Sequence, residues 1–408
     1  MKLKYLLFLP LGLWACKEEK PVINEFENNS IQNLELTEAE LYQKVLGAIV
    51  GSAIGDAMGA PTEMWSREAI RFDFGYVDDL DSMVREPSPE GTWKVNLPAG
   101  GTTDDTRWKE LTYQYLSKQD RKELNPKDFA NEILNRYTKA IDHYKEIDSF
   151  EPEPYEENTL RVAWLQEWAK VAKPYIENNL DGYGNALGKF YGGEMVCAGL
   201  LYAPAFGVFY PSNPEMAYAE AYKLSVFDIG YAKDITALSA ALTAQCMKKG
   251  VTQPEILAVL RNTDPESYFK SRLVGRTSWR IFQNARHIVS EARTAEKPLE
   301  MAFELLDKNL QDMPFHAGEI YLQVLTAMIY ADFDFQKTME FLVNYGRDND
   351  TTAAVAGTIL GAYHGFDKLP QGQCKKVMEV GKKELDIDME QLAKQLTSKI
   401  IALNNRGE

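Results

Sequence analysis

Two short acidic stretches carry the residues best suited to chemistry. One is Gly100-Gly101-Thr102-Thr103-Asp104-Asp105-Thr106; the other, far downstream, is Gly346-Arg347-Asp348-Asn349-Asp350-Thr351-Thr352. Each is a glycine-containing loop that brings two carboxylates and threonine hydroxyls to the start of a predicted helix. Asp and Thr are favoured helix N-caps, because their side-chain oxygens accept first-turn N–H groups and the charge suits the helix dipole. A cap needs only one carboxylate, however, and adjacent carboxylates repel. Four carboxylates with hydroxyl oxygens would neutralise two divalent cations, and hard oxygen donors favour Mg²⁺ or Mn²⁺ over zinc. The paired clusters therefore predict a binuclear metal site.

The elements that must position these loops read as helices. Thr37-Glu38-Ala39-Glu40 has the form of a capping box. The helix it opens carries Gly47, Gly51, Gly55 and Gly59 on one stripe, and Gly357, Gly361 and Gly365 follow the second acidic cluster in the same way. Such stripes let two backbones approach, so the two helices are expected to cross and bring both loops together. Asp56 falls at or just beyond the end of the first helix. It reads equally as a structural carboxylate accepting backbone N–H groups and as part of the site. Glu63, after Pro61 in a loop, is the better chemical candidate.

Arg67 to Leu97 is rich in charge, Gly and Pro and is expected to be a long loop over the site. Pro126 to Tyr144 has apolar residues at helical spacing. Prolines stop that helix before Phe150–Glu157, which is expected as a surface excursion. Ala217–Met247, Ile256–Arg261, Ser278–Arg293, Met301–Leu310, Ala317–Ala331 and Gln371–Leu403 also read as helix, the last as one or two. Period-two alternation is scarce, so the expectation is a single compact all-α domain over 37–404.

The chain has 408 residues, 45% of them hydrophobic, which is enough for a sizeable core. Its formal charge of −15, with no basic run, disfavours a nucleic-acid partner. Met1-Lys2-Leu3-Lys4, the apolar run from Tyr5 to Trp14 and Leu13-Trp14-Ala15-Cys16 resemble a bacterial lipoprotein signal, with 1–15 removed and Cys16 lipidated. Residues 16–36 then form a flexible tether. The expected location is the outer membrane, facing periplasm or surface, with the lipid as the only membrane contact. Cys197, Cys246 and Cys374 suggest no disulfide framework and read as packing residues. None of His143, His287, His316 or His364 is required by the site. No Gly-x-Ser-x-Gly nucleophile motif is evident. A monomer is expected.

Gly55-Asp56-Ala57-Met58-Gly59-Ala60-Pro61-Thr62-Glu63, then Thr103-Asp104-Asp105-Thr106, then Asp348-Asn349-Asp350-Thr351-Thr352-Ala353-Ala354 resemble the ADP-ribosylglycohydrolases. The motifs stand in that family's order, and the resemblance spans roughly Leu41 to Pro370. It implies an all-helical fold with two Mg²⁺ or Mn²⁺ held by Thr103, Asp104, Asp105, Asp348, Asp350 and Thr351. It also implies Glu63 and Asp105 as catalytic carboxylates, Glu63 as general base or metal-gating group. Asp56, Gly101 and Gly193 would contact substrate, an ADP-ribosylated protein or small-molecule glycoside. The chain departs from the family at Gly192-Gly193-Glu194-Met195-Val196, with valine in place of an expected arginine. Ser225-Val226-Phe227-Asp228-Ile229-Gly230-Tyr231 likewise replaces an expected Thr-His pair. An exported hydrolase of another N-glycoside, such as a nucleoside, and a non-catalytic ADP-ribose-binding protein are the alternative readings on this scaffold.

Overall fold

A computed structural model describes residues 26–84, 96–143 and 163–406. The signal sequence, Cys16 and the expected excursion at 150–157 lie outside these residues. The helices run α1 Glu38–Gly59, α2 Arg67–Asp73, α3 Asp104–Ser117, α4 Pro126–His143, α5 Ala163–Ile176, α6 Leu180–Leu187, α7 Ala203–Phe209, α8 Pro214–Leu224 and α9 Ala232–Cys246. They continue with α10 Gln253–Asn262, α11 Thr277–Ala292, α12 Pro298–Asp307, α13 Ala317–Tyr330, α14 Phe335–Tyr345, α15 Asn349–His364, α16 Gln371–Glu384 and α17 Met389–Asn405. Among the described residues the only extended pairing is three isolated bridges, so the domain is all-α as expected.

The predicted capping box starts α1. The Glu40 backbone N–H donates to Thr37 Oγ1 at 3.2 Å, and the Thr37 N–H donates to the Glu40 carboxylate at 2.9 Å. By length and composition α1 could cross a membrane, but its apolar window is wholly buried inside the protein. It packs against α15 along the two glycine stripes. A Cβ added to Gly47 would lie 2.5 Å from the Gly361 carbonyl oxygen. The missing side chains thus set the helix separation, and α3, α7, α9, α13, α14, α16 and α17 pack round the crossed pair.

Polar clamps fix the surrounding layer. Lys44 of α1 donates to Cys246 O, Ala362 O and Tyr363 O at 2.8, 2.9 and 3.2 Å. Those carbonyls belong to the last turns of α9 and α15, so one ammonium caps two helix C-termini. The wholly buried Arg276 pairs with Asp234 through Nε and Nη2 at 2.9 and 2.7 Å, tying α9 to the start of α11.

Several expectations need correction. Residues 26–36 are not a free tether: Ile31 and Leu36 are buried in the core, and the Gln32 N–H donates to Asn405 Oδ1 of α17 at 3.1 Å. Phe26 and Leu34 pack against the same core, so four apolar side chains dock a stretch that is otherwise polar. Arg67–Leu97 is not all loop, since Ser66 caps α2 and the buried Ile70 anchors it. The stretch Ala217–Met247 breaks at 225–231 into α8 and α9. Asp228 turns there to accept the Gly199 N–H at 2.8 Å and the Thr236 hydroxyl at 2.7 Å. Asp56 lies within α1, not past its end.

Candidate active site

The α1–α15 crossing decides where the carboxylates meet. Gly59, at the end of α1, abuts the Asp350 backbone at the start of α15. Beyond it the chain turns through Pro61 and Thr62, and residues 64–65 pair with the loop before α15. The Met64 N–H donates to Arg347 O at 2.7 Å, and the Arg347 N–H donates to Trp65 O at 3.0 Å. Asn349 reinforces the join by donating to Thr62 Oγ1 at 2.9 Å. Gly346 and Arg347 both take left-handed backbone, with φ of 87° and 66°, which turns the chain sharply into α15. The result is that Glu63, Asp348 and Asp350 bring carboxylate oxygens within 4.8 Å of one another.

The first acidic cluster is placed by a different device. Asp56 is fully buried and accepts the Thr103 N–H, the Thr106 N–H and the Thr106 hydroxyl at 2.9, 2.9 and 2.6 Å. A carboxylate from α1 thus helps cap the first turn of α3, fixing Asp104 and Asp105. Of its two possible roles, the structural one is what the geometry shows, and Asp56 does not line the cavity.

Glu63, Asp104, Asp105, Asp348, Asp350 and Thr351 line one cavity of about 60 Å³. Its walls are Trp168, Tyr191, Val196, Cys197, Leu201 and Phe315. Only Val196 was marked out from the sequence, as a departure from the family pattern; the others come from α5, two loops and a short turn that only the tertiary fold brings together. The position of Tyr191, beside a Gly-Gly pair, was the one available cue. A wider groove of about 940 Å³ lies between α3 and the C-terminal helices. Its lysines Lys118, Lys382, Lys394 and Lys399 are each paired with a carboxylate, so the smaller cavity is where reactive groups converge.

Of the six expected metal ligands, Asp104, Asp105, Asp348, Asp350 and Thr351 line the cavity and Thr103 does not. Thr103 Oγ1 accepts the Asp105 N–H at 3.3 Å as the α3 N-cap. Asp105 accepts Lys109 Nζ at Oδ1, 2.8 Å away, and the Thr351 hydroxyl at Oδ2, 2.9 Å away. Gly101 is buried against Leu97, whose side chain a Cβ there would strike. Gly193 is exposed, with φ of 87°, in the turn after Tyr191. Neither glycine lines the cavity.

Electrostatics supports a cation at the remaining carboxylates. Burial pushes the Asp348 carboxyl well above its ordinary range, and the neighbouring Asp350, Glu63 and Asp105 push it further. Burial also raises Asp104, followed by the charges of Asp105, Glu63 and Asp350. Crowding several carboxylates where each disfavours the ionisation of the next is costly unless a cation neutralises them. The donors are all oxygen, as Mg²⁺ or Mn²⁺ requires. The residues fit such an ion.

His316 is the N-cap of α13, with Nδ1 accepting the Gly318 N–H at 3.1 Å, and it does not line the cavity. The three described cysteines are buried, as expected of packing residues, and Cys197 forms part of the cavity wall.

Comparison with known proteins adds a family. Residues 37–405 match the model of the ADP-ribosylglycohydrolase family. The chain is 24% identical over 332 residues to the uncharacterized protein YegU of Escherichia coli K12, covering 80% of this chain and 89% of that one. It is 23% identical over 364 residues to the mouse ADP-ribosylhydrolase ARH3, covering 80% and 85% respectively. A solved structure described as an ADP-ribosylglycohydrolase-related protein complex superimposes with a TM-score of 0.56 at 19% identity. That match covers 88% of this chain and 99% of the other.

Proposed function

The chain belongs to the ADP-ribosylglycohydrolase family, and from that premise we propose that it is a divalent-cation-dependent hydrolase releasing ADP-ribose from an ADP-ribosylated protein or small molecule. The observation that carries this reading is the convergence of Glu63, Asp348 and Asp350 within 4.8 Å at an aromatic-walled cavity. These three would hold the cation, with Asp104 facing the same space.

Cleavage at the anomeric carbon of ribose passes through an oxocarbenium-like state that gains positive charge. A bound divalent ion can orient sugar hydroxyls and lower the pKa of a water at neutral pH. The protein supplies the rest. Negative carboxylates favour positive charge developing at the sugar. Glu63, half-buried in its loop, would hold the cation through one carboxylate oxygen and can take a proton from the attacking water with the other. Trp168, Tyr191 and Phe315 exclude bulk water and offer flat faces to a ring.

A second reading rests on one feature: among the described residues no Lys, Arg or His lines the cavity, and Val196 stands where the family resemblance expects arginine. That lining suits an uncharged N-glycoside such as a nucleoside. The two readings part on substrate. Purified protein would be given ADP-ribosyl-arginine and ADP-ribosyl-serine peptides, NAD⁺ and nucleosides, with Mg²⁺, Mn²⁺ or chelator. Metal-dependent release of ADP-ribose, lost in Asp348→Ala, is expected. Turnover of nucleosides alone would replace it with the second reading, and silence on every glycoside would favour a binding protein. The lipoprotein location is proposed from residues 1–16 alone; fatty-acid labelling lost in Cys16→Ser tests it.

A further inference from the structure

A lysine is buried against one of the expected metal ligands. Lys109 is 2% exposed, and its Nζ lies 2.8 Å from Asp105 Oδ1 in an ion pair whose side chains are 3% and 2% exposed. The pair spans one turn of α3, the spacing that puts both side chains on the same helix face. The other Asp105 oxygen accepts the Thr351 hydroxyl at 2.9 Å. Each oxygen of this carboxylate therefore accepts one protein donor, and one of the two donors is a full positive charge. The three carboxylates that converge within 4.8 Å come from other elements, the loop after α1 and the start of α15.

We propose that the Lys109 ammonium occupies the place of a second divalent cation, so that the chain holds a single ion, at Glu63, Asp348 and Asp350. The inference rests on the metal-dependent reading of the preceding subsection. A divalent ion seeking Asp105 would meet a positive charge already at contact distance, in a setting too buried for water to screen the repulsion. An ion there would either sit against the ammonium or displace it, and displacement would break a buried pair, which is costly. Three carboxylates suit one Mg²⁺ or Mn²⁺ well, since these ions keep several waters and take few protein ligands. Lys109 then sets the metal count, and Asp105 is a positioning residue that holds Thr351 rather than an ion.

The test counts ions on the whole chain. Metal-stripped protein is titrated with Mn²⁺, following free Mn²⁺ by electron paramagnetic resonance and binding heat by calorimetry. The wild type is expected to bind one Mn²⁺ per chain, with the spectrum of an isolated ion. Lys109→Met and Lys109→Ala, checked for folding by near-ultraviolet circular dichroism, are expected to bind a second and show the broadened spectrum of a coupled pair. Two ions in the wild type would overturn the inference while leaving metal-dependent hydrolysis standing. One ion in both the wild type and the folded variants would also overturn it, because Lys109 would then exclude nothing. No binding by the folded wild type would remove the metal reading itself. If neither variant folds, the wild-type count and spectrum decide.

Discussion

Gly51 of α1 and Gly357 of α15 touch backbone to backbone: a Cβ built on Gly51 would lie 2.5 Å from the Gly357 carbonyl oxygen. The contact recurs along the crossing and ends where Gly59 meets Asp350, so helix packing and site geometry share one determinant. Gly51→Ala should destabilise the protein by about 1–3 kcal/mol through overpacking, despite a gain of about 1 kcal/mol in helix propensity. Gly372→Ala, in α16 with nothing within 4 Å of its added methyl, is the control and should be neutral or slightly stabilising. Urea denaturation of both decides it; equal stabilities would show that the crossing tolerates a wider separation.

Asp56 reaches from α1 to cap α3, accepting two backbone N–H groups and a hydroxyl. Asp56→Ala strands those buried donors, each costing about 1–3 kcal/mol. It should also loosen the placement of Asp104, lowering Mn²⁺ affinity by roughly 10- to 100-fold as losses in the supporting layer of a metal site do. Thermal unfolding and Mn²⁺ titration check the two effects separately. Lost stability with unchanged Mn²⁺ affinity would show that α3 does not help form the ion site.

The comparison of these two devices shows what a linear reading can reach. The glycine stripes were legible because a four-residue spacing of glycines is itself a packing signal, and the acidic loops were legible as carboxylate pairs. The capping role of Asp56 was legible only as one of two equal readings, because its partners lie about 50 residues away and nothing local distinguishes a cap from a ligand. Lys109 escaped notice for the opposite reason: four residues after an Asp, it reads as an ordinary surface pair, and only burial gives it meaning. The docking of residues 26–36 was hidden because their apolar side chains, Phe26, Ile31, Leu34 and Leu36, follow no helical period. The aromatic walls depend on where α5 and the loops at 191 and 315 converge, which no periodicity encodes.

Asp228 gives a pH dependence with a definite sign. Burial pushes its carboxyl up to about 6, against the opposing hydrogen bonds from Thr236 and Gly199. The native state therefore keeps a proton that the unfolded chain releases near its ordinary value of about 4. The stabilisation is complete below about pH 4 and is lost as pH rises through about 6, a change on the order of 2–3 kcal/mol. In Asp228→Asn the amide can accept the Gly199 N–H and donate to the Thr236 hydroxyl, so the fold should persist while this dependence disappears. Urea midpoints of both proteins at pH 4, 5, 6 and 7 measure it; parallel curves would mean that Asp228 does not titrate in this window.

Arg347 holds the loop that carries Glu63. Its backbone pairs with residues 64 and 65, while its guanidinium donates to Glu319 at 2.8 and 3.0 Å and to Gln311 O at 2.8 Å. Glu319 is only 3% exposed, so the anchor is firm at its far end. The cost is a left-handed φ of 66° on a residue with a side chain, about 1–2 kcal/mol that glycine would not incur. Arg347→Ala keeps that cost and loses the anchor, and should lose about 2–3 kcal/mol of stability. Arg347→Gly loses the same hydrogen bonds but relieves the backbone, so its stability should lie about 1 kcal/mol above that of the Ala variant. Both loosen the turn at Arg347 against which the Glu63 loop is paired, and both should bind Mn²⁺ about 10-fold more weakly. Melting curves with and without Mn²⁺ separate the two contributions: a stability gap between the variants reports the strained φ, and a shared loss of Mn²⁺-induced stabilisation reports the anchor.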